Sequence, residues 1–313
     1  MNKLGTQKQP FVFLFDFMLE RPLLFRWEES GTHLLWKTPL HRNYEIRPAV
    51  STPFSWNRHP VSFACYQTAF NRVMAEIMKG NSYLLNLTMP TRIFCELKPE
   101  ELFSLCHAPY LVYLKDHFLC FSPEIFVRIE QNSIRSYPMK GTVNAEIPKA
   151  EERLLNNRKE RAEHATIVDL IRNDLSRVAQ KVEVIRYGYL DRIRSNSGSL
   201  LQMSSEITGS LAPDWIEHLG DLFMKLLPAG SVSGAPKRKT VEIIRHTEPY
   251  ERGYYSGVFG IFDGKTVDSC VLIRYLENQN RQLIYKSGGG ITHLSSCEEE
   301  YEELIRKIYV PLA

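Results

Sequence analysis

The chain has 313 residues, of which 43% are hydrophobic and 24% charged, and its formal net charge is +3. That length can bury a large core, in one big domain or two ordinary ones, and the composition is ordinary for a soluble globular protein. The small, dispersed charge argues against nucleic acid as a partner, and the densest basic cluster, at residues 237–239, is typical of a solvated helix face.

The cysteines and the apolar runs indicate the cellular compartment in which the protein is expected. The six cysteines are scattered without a CxxC pair, which favours reduced thiols in an intracellular protein and argues against a zinc site. The apolar run at residues 11–19 is interrupted by Asp16 and has neither the length of a membrane span nor a small-residue cleavage site. We therefore expect a cytoplasmic protein with no membrane partner.

The first half of the chain alternates short strands and helices. Residues 1–60 are rich in aromatic residues and proline, and turn signals divide them into short pieces. A helix is predicted at 61–79, ending at Gly80. Next come a strand at 83–93, a short helix at 99–106, a hairpin at 110–121 and strands at 125–129 and 133–137. Lys140, between Pro138 and Gly141, is expected on a backbone turn.

The second half begins with a long amphipathic helix, from residue 149 to about 179, with a break near Asn156-Asn157. A strand pair follows at 182–189 and 199–207, then helices at 215–225 and 236–246, three strands at 254–262, 266–277 and 282–287, and a final helix at 297–309. The Asp263-Gly264 turn predicts a hairpin between the first two of those three strands. Antiparallel pairs with interspersed helices predict an α+β fold.

Two helices carry pairs of glutamates at matching spacing. Glu160 and Glu163 lie three residues apart on the long helix, and Glu300 and Glu303 have the same spacing on the last one. Four carboxylates from two facing helices offer the hard oxygen ligands that Mg²⁺ takes in small numbers. Two solvated, salt-bridged helices would show the same spacing, so this pattern alone leaves both interpretations open.

Two glycine-containing stretches also allow alternatives. Residues 228–236 are small and open a helix, whose backbone N–H groups could host an anion, although the stretch lacks the phosphate-loop pattern and fits a tight structural turn equally well. Gly288, Gly289 and Gly290 allow the backbone to approach either a ligand carboxylate or another strand closely. The nine histidines show no metal-binding spacing.

Taken in order, seven stretches strongly resemble the chorismate-utilising enzymes. They are 138–142 (PMKGT), 162–174 (AEH…VDLIRND), 228–237 (PAGSVSGAPK), 251–257 (ERGYYSG), 273–274 (IR), 288–291 (GGGI) and 300–303 (EYEE). The resemblance implies a four-layer α/β/β/α sandwich with two orthogonally packed, mainly antiparallel sheets and the site in a cleft between them. It also implies a chorismate-binding catalytic domain at 61–313, and a short N-terminal segment, 1–60, that packs on the core without a full regulatory domain.

The resemblance implies a role for each matching residue. Mg²⁺ would be held by Glu163 and Glu303, with help from Glu160 and Glu300. The substrate carboxylates would meet Tyr255, Arg274, Lys307 and the backbone of Gly288, Gly289 and Gly290, and Gly141 and Thr142 would lie beside the ring. Glu124 resembles the general acid that protonates the departing hydroxyl at C4 of chorismate.

The residue at position 140 separates branches of the family. Anthranilate synthases read PIAGT there, whereas a lysine marks aminodeoxychorismate synthase component I, in which the lysine is expected to attack C2 and ammonia then adds at C4. Leu84 stands where the isochorismate and salicylate branch has a lysine base that activates water, which argues against that reaction. Gln202 replaces a histidine tied to pyruvate elimination in many relatives, which weakly fits a product that keeps its enolpyruvyl group.

A lysine nucleophile must be neutral, and removing the proton from a free lysine at pH 7 costs a free energy of about 4.6 kcal/mol. We predict that Mg²⁺ and a closed cleft outweigh the neighbouring carboxylates when substrate is bound.

The resemblance further implies chorismate and ammonia as substrates, a separate glutaminase subunit as the source of ammonia, and a place in 4-aminobenzoate and folate biosynthesis. Tryptophan-binding, glutaminase and lyase signatures are missing from the sequence. Two alternatives remain, anthranilate synthase component I and a chorismate-binding subunit without catalysis. The presence of Glu124, Lys140 and all four glutamates argues against the second, because a binding protein needs neither an acid nor a nucleophile.

Overall fold

The structure is a computed structural model that describes residues 1–45, 54–195 and 198–312. Its strands are β1 (Phe11–Phe15), β2 (Leu23–Arg26), β3 (Leu34–Lys37), β4 (Trp56–His59), β5 (Leu84–Cys95), β6 (Tyr110–Leu114), β7 (Phe118–Ser122), β8 (Ile125–Glu130), β9 (Ser133–Ser136), β10 (Met139–Asn144), β11 (Gln180–Ser195), β12 (Gly198–Ser210), β13 (Gly234–Ala235), β14 (Val258–Phe262), β15 (Val267–Val271), β16 (Tyr275–Gln279) and β17 (Gln282–Ile291). Its helices are α1 (Asn2–Thr6), α2 (Phe63–Met78), α3 (Pro99–Leu105), α4 (Ala150–Asn156), α5 (Arg158–Ser176), α6 (Leu219–Leu226), α7 (Gly230–Ser233), α8 (Lys237–Thr247) and α9 (Cys297–Arg306), with 3₁₀ turns at Ser30–Thr32 and Trp215–His218.

The described strands form two sheets. Sheet A runs in the order β10-β12-β9-β8-β15-β14-β1-β2, with β11 also paired to β12. Sheet B runs β13-β5-β17-β16-β7-β6-β3, with β4 also paired to β5. The pairings are antiparallel, including the hairpin predicted at Asp263-Gly264, where the Asp263 carboxylate accepts hydrogen bonds from the backbone N–H groups of Lys265 and Thr266.

Hydrophobic side chains are buried in three main layers, which explains why many strands are apolar on both faces. In β1, Phe11, Phe13 and Phe15 pack under helices α5 and α6, whereas Val12 and Leu14 point to the opposite face and pack between the two sheets. The third layer lies between sheet B and helices α2, α3, α8 and α9. The order of layers is thus helix, sheet, sheet, helix, and the predicted α/β/β/α sandwich is confirmed.

The chain crosses between the sheets at points that matter for the site. Ser122-Pro123-Glu124 connects β7 of sheet B to β8 of sheet A, and Leu272–Arg274 connects β15 of sheet A to β16 of sheet B. Residues 248–257 lead from α8, on the sheet B side, into β14 of sheet A. Because a crossing strand must leave its sheet, the side chains at these three places gather along the seam between the sheets.

The prediction that Lys140 lies on a turn is wrong. Lys140 belongs to strand β10, which pairs with β12 through a register shift between Lys140 and Thr142. Gly141 occupies the shift with φ +75°, a left-handed conformation that glycine adopts without steric cost. The glycine thus signals a bulge within a strand, and the bulge re-aims the lysine side chain.

The break predicted in the long helix is confirmed. Helix α4 ends at Asn156, and Asn157 caps α5, its side-chain oxygen accepting a hydrogen bond of 3.2 Å from the N–H of Glu160. The cap fixes where α5 begins, and therefore which of its residues face sheet A. Glu160 and Glu163 lie in the first two turns of this helix.

The N-terminal residues contribute strands to both sheets. β1 lies between β14 and β2 in sheet A, while β3 and β4 belong to sheet B. The division into 1–60 and 61–313 stays a prediction, and residues 46–53 lie outside the described ranges.

Candidate active site

Glu124 is fixed at the first crossing between the sheets. The Ser122 hydroxyl donates to the carbonyl of Val271 at 2.6 Å and accepts from the N–H of Glu124 at 3.1 Å. The Glu124 carbonyl in turn accepts from the N–H of Val271 at 3.1 Å. These bonds tie the crossing to the end of β15, so the Glu124 carboxyl group has a defined position at the seam.

The surroundings of Glu124 favour its protonated form. Burial raises the pKa of this carboxyl group, while a hydrogen bond from the Ser231 hydroxyl and the charges of Lys140, Arg274 and Lys307 lower it less strongly. The net result is a raised pKa. A carboxyl group that keeps its proton nearer to neutral pH is suited to act as a general acid.

Lys140 reaches from the bulge of β10 toward α5. Its Nζ atom lies 3.4 Å from Oε2 of Glu163, and a Cβ atom placed on Gly290 would lie 3.3 Å from the same Nζ. Burial would lower the pKa of Lys140, but Glu163, Glu303 and Glu160 outweigh burial and raise it. In this structure Lys140 is therefore an ammonium group paired with Glu163.

The four predicted carboxylates converge from α5 and α9. Burial and the neighbouring Glu163 raise the pKa of Glu160, and burial and Glu303 raise the pKa of Glu300. Glu303 behaves differently. Burial would raise its pKa, but the cations Lys307, Lys140 and Lys159 hold the pKa at about 2. These carboxylates repel one another, so a positive charge at the centre of the cluster would stabilise their ionised forms.

Three lysines supply part of this positive charge. Besides the Lys140 pair, Lys159 Nζ lies 3.5 Å from Glu300 Oε1, and Lys307 Nζ lies 2.6 Å from Glu303 Oε1. Within the described ranges, no three acidic, histidine or cysteine side chains are arranged as a ready-made ion cage.

The chemistry of the donor set nevertheless fits Mg²⁺. All four side chains offer carboxylate oxygens, the ligand type that this cation prefers. Space for the cluster depends on glycines: a Cβ at Gly141 would lie 2.9 Å from Glu160 Oε2, and one at Gly289 would lie 3.0 Å from Glu300 Oε2. The residues present can therefore hold a hard divalent cation, and any larger residue at these two glycines would push the carboxylates away.

The residues expected to bind substrate carboxylates lie along the same seam. Arg274, with φ +54° at the second crossing, donates from Nε to the Tyr309 hydroxyl at 3.2 Å. Lys307 donates to the carbonyl of Gly288 at 2.8 Å, at the end of α9. Tyr255 is 3% exposed, and burial raises the pKa of its phenol. The charges of Arg274 and Lys307 both act on Glu124, and the charge of Arg274 also acts on Tyr255.

The two departures from the family pattern also lie close to this space. Leu84 is buried, and its Cδ1 atom would lie 3.0 Å from a Cβ on Gly290, the same glycine that Lys140 approaches. Gln202 is the strand partner of Thr142. The backbone of Thr142 belongs to β10, but its side chain lies outside what the structure describes.

The small-residue stretch at 228–236 contains the short helix α7 and strand β13 and is closely packed. A Cβ at Gly234, where β13 pairs with β5, would lie 1.9 Å from the carbonyl oxygen of Leu84. Lys237 is not on a solvated face, contrary to expectation, because it donates to Asp174 at 2.8 Å and to the carbonyl of Leu226 at 2.7 Å. The small residues allow this stretch to approach both sheet B and α5.

Two residues of the site were not predicted. Ser231 donates to Glu124, and Lys159 joins α5 to Glu299 and Glu300 of α9. Lys159 precedes Glu163 by four residues, a spacing that predicts an ion pair on one helix face and so offered a signal. Ser231 offered none, because its contact joins residues that are 107 positions apart.

None of the helices in the described parts of the chain is both long and apolar enough to cross a membrane.

Two known proteins are similar to this chain along most of its length. A PabA-like protein of Haemophilus influenzae is 50% identical over 312 residues, which cover 99% of this chain and 95% of that protein. Aminodeoxychorismate synthase component 1 of Salmonella typhimurium is 34% identical over 282 residues, covering 84% of this chain and 60% of the Salmonella protein.

A solved structure shares the fold. The isochorismate synthase of Bacillus anthracis specific for 2,3-dihydroxybenzoate superposes with a TM-score of 0.73 at 20% identity, covering 97% of this chain and 84% of that one. The sequence profile of the chorismate binding enzymes matches residues 22–313. The chain therefore belongs to the chorismate binding enzyme family.

Proposed function

We propose that this protein is an aminodeoxychorismate synthase component I, which replaces the hydroxyl group at C4 of chorismate with an amino group derived from ammonia. Family membership and the 34% identity to the Salmonella enzyme support the substrate class. The observation that carries the choice of reaction is the position of Lys140, whose amine lies beside the carboxylate cluster and the glycine strand. The anthranilate branch has an alanine at this position and could not offer a nucleophile there.

Leu84 supports the same choice. In the branch that adds water to chorismate, this position carries a lysine base, whereas here a buried aliphatic side chain lies beside Gly290. A leucine cannot take a proton from water. The amine that lies next to Gly290 is that of Lys140, which suits a nucleophile rather than a base for water.

The first chemical step uses Glu124 and Lys140 together. The neutral Lys140 amine forms a bond to C2, the two ring double bonds shift, and the bond from C4 to oxygen breaks. Glu124 gives its proton to the departing oxygen, which leaves as water. Its raised pKa suits this role, because the acid form must be present when the bond breaks.

The second step reverses the shift. Ammonia bonds to C4, the double bonds return, and the bond between C2 and the lysine nitrogen breaks. The surplus proton of the incoming ammonia restores the Glu124 acid. In sum, chorismate and ammonia give the C4-amino product and one water, which carries the former hydroxyl oxygen, and the enolpyruvyl group stays on the product.

The Glu163 pair opposes the first step, since a protonated Lys140 cannot attack. Breaking that pair is a requirement of the mechanism. Glu160, Glu163, Glu300 and Glu303 would hold Mg²⁺, which supplies positive charge for the carboxylates and for a substrate carboxylate. Arg274, Lys307, Tyr255 and the backbone of the three glycines would bind and orient the carboxylates of chorismate.

Ammonia would come from a separate glutaminase subunit, and the product would feed 4-aminobenzoate and folate synthesis. The proposal is tested by incubating the purified protein with chorismate, Mg²⁺ and ammonium and identifying products by mass. We expect 4-amino-4-deoxychorismate, converted to 4-aminobenzoate only when a lyase is added. Anthranilate fluorescence without a lyase would instead assign the anthranilate reaction, and unchanged chorismate would assign a binding subunit.

A further inference from the structure

Ser231 donates a hydrogen bond from its hydroxyl to Oε1 of Glu124. We propose that Ser231 is a positioning residue that holds the Glu124 carboxyl group and stabilises the carboxylate formed as its proton leaves. The inference rests on the proposed role of Glu124 as the general acid. It adds a group carried by α7, between α6 and α8, that sets how readily the acid gives up its proton.

Helix α7, which carries Ser231, is held on two sides. The carbonyl of Val232, the next residue, accepts from Arg252 Nη1 at 2.8 Å and from Asn86 Nδ2 at 3.2 Å. On the other side, a Cβ on Gly230 would lie 2.8 Å from Asp174 Oδ2, so the backbone there packs directly against α5. With both neighbours fixed, the Ser231 hydroxyl has little freedom to move away from Glu124.

A hydroxyl group suits both states of the acid. It can donate to the ionised carboxylate or, after rotation about its C–O bond, accept from the protonated carboxyl group. A donated hydrogen bond favours the charged form and so opposes the effect of burial on Glu124. As the proton passes from Glu124 to the departing oxygen, the hydroxyl can turn to donate, and the new carboxylate is not left unpaired in a buried place.

Other charged and titratable groups also face Glu124. They are Lys140 on β10, Arg274 at the second crossing, Lys307 at the end of α9, Cys270 on β15, and Tyr137 and Asp174 across a small cavity. Lys140, Arg274 and Lys307 favour the carboxylate through space, but they also face the substrate cleft, where they would be engaged by substrate carboxylates. Ser231 is the partner that donates a direct hydrogen bond among the described residues, and its contribution persists when substrate is bound.

The test compares Ser231→Ala with Ser231→Thr and Ser231→Cys, and uses Ser233→Ala as a matched control. Ser233 lies in the same short helix, but its hydroxyl donates to the carbonyl of Ala229 at 2.8 Å. The first readout is NMR titration of the full-length protein with ¹³C-labelled glutamate carboxyl groups. The Glu124 signal is identified as the one missing from Glu124→Gln. The second readout is kcat for chorismate consumption.

We expect the Glu124 signal of Ser231→Ala to titrate at a higher pH than in the wild-type protein, and kcat to fall about tenfold or more. Ser231→Thr should restore both values, Ser231→Cys should lie between, and Ser233→Ala should leave the titration unchanged. An unchanged titration in both Ser231→Ala and Ser231→Cys would overturn the inference, as would a failure of threonine to rescue. If the titration shifts but the product is not the aminated one, the inference stands and the proposed reaction fails.

Discussion

The ammonium group of Lys140 and the carboxylate of Glu163 lie 3.4 Å apart, and this pair joins the bulge of β10 to helix α5. The side chains are 21% and 11% exposed, so the pair is largely shielded from water. Such a pair stores the proposed nucleophile in its inactive, protonated form. A cation that enters among the carboxylates would compete with Lys140 for Glu163. An anionic substrate would change the electrostatic surroundings of both partners.

Substitution of Lys140 by alanine should abolish amination. Without the amine no bond to C2 can form, so we expect the rate of aminated product to fall by several orders of magnitude, measured by mass spectrometry. Lys79→Ala is a matched control, because Lys79 is exposed and its amine pairs with Glu76 one turn earlier on the same helix. A Lys140→Ala variant with full ammonia-dependent activity would refute the nucleophile role.

Glu124→Gln should lower the catalytic rate and raise the melting temperature at pH 8. Loss of the acid should lower kcat by roughly 10²–10⁴-fold. Because burial raises the pKa of Glu124 in the folded state, the carboxyl group stabilises the fold most below its unfolded pKa and loses that contribution as pH rises through the folded pKa. The melting temperature of Glu124→Gln should therefore exceed that of the wild type at pH 8 and approach it at low pH. Equal melting temperatures at pH 8 would contradict a free-energy cost of ionising Glu124 in the folded protein.

Mg²⁺ should stabilise the protein through the carboxylate cluster. At a concentration one hundred times its Kd, a ligand that binds only the folded state adds about 2.7 kcal/mol to the free energy of unfolding. Glu300→Gln should lose most of that gain, whereas Glu302→Gln, at an exposed position of the same helix, should keep it. Thermal unfolding with and without Mg²⁺ measures the difference, and equal Mg²⁺ responses of the two variants would rule out the cluster as the site.

Gly289→Ala should weaken Mg²⁺ binding without unfolding the protein. The new Cβ would lie 3.0 Å from Glu300 Oε2, so this carboxylate must shift, and it would lie 3.4 Å from Glu303 Oε1, in ordinary contact. We expect Mg²⁺ affinity, measured by calorimetry, to fall roughly 10-fold or more. The control is Gly31→Ala, whose Cβ would meet nothing closer than 3.8 Å. Wild-type affinity in Gly289→Ala would show that the glycine is not needed for the cluster.

Arg252→Met should be strongly destabilising. The guanidinium and the Glu248 carboxylate are 2% and 1% exposed and lie 2.6 Å apart, so the substitution leaves a buried carboxylate without its partner. The expected loss is about 3–5 kcal/mol, measured by urea unfolding. Arg172→Met removes an exposed pair with Asp169 and should cost at most about 1 kcal/mol. Adding Glu248→Gln to Arg252→Met should recover part of the loss, and no recovery would speak against the ion pair as its cause.

Structural features that depend on contacts between residues close in sequence were predicted correctly from local sequence patterns. The helix break near Asn156-Asn157 and the Asp263-Gly264 hairpin depend on hydrogen bonds within a few residues, and both were predicted from the sequence. The position of Lys140 was not, because a proline before it and a glycine after it are equally typical of a turn. Only pairing with β12, some sixty residues later, makes that stretch a bulged strand.

The site divides in the same way. The glutamate pairs were visible as helical spacing, but spacing could not tell a solvated face from a cluster, since that depends on how closely α5 approaches α9. The Lys159 contacts that span this gap and the Ser231 contact to Glu124 arise only when distant segments pack together. The family resemblance supplied the missing long-range information for the glutamates and Lys140, but not for these two residues.

The position of β1 has a consequence for fragments of this protein. The family profile begins at residue 22, yet β1, at Phe11–Phe15, is hydrogen-bonded to β14 on one side and β2 on the other. A recombinant fragment that starts where the profile starts would open sheet A in its interior and expose the edge of β14, a ready template for intermolecular pairing. The residues that the family profile covers are therefore fewer than the residues that complete sheet A.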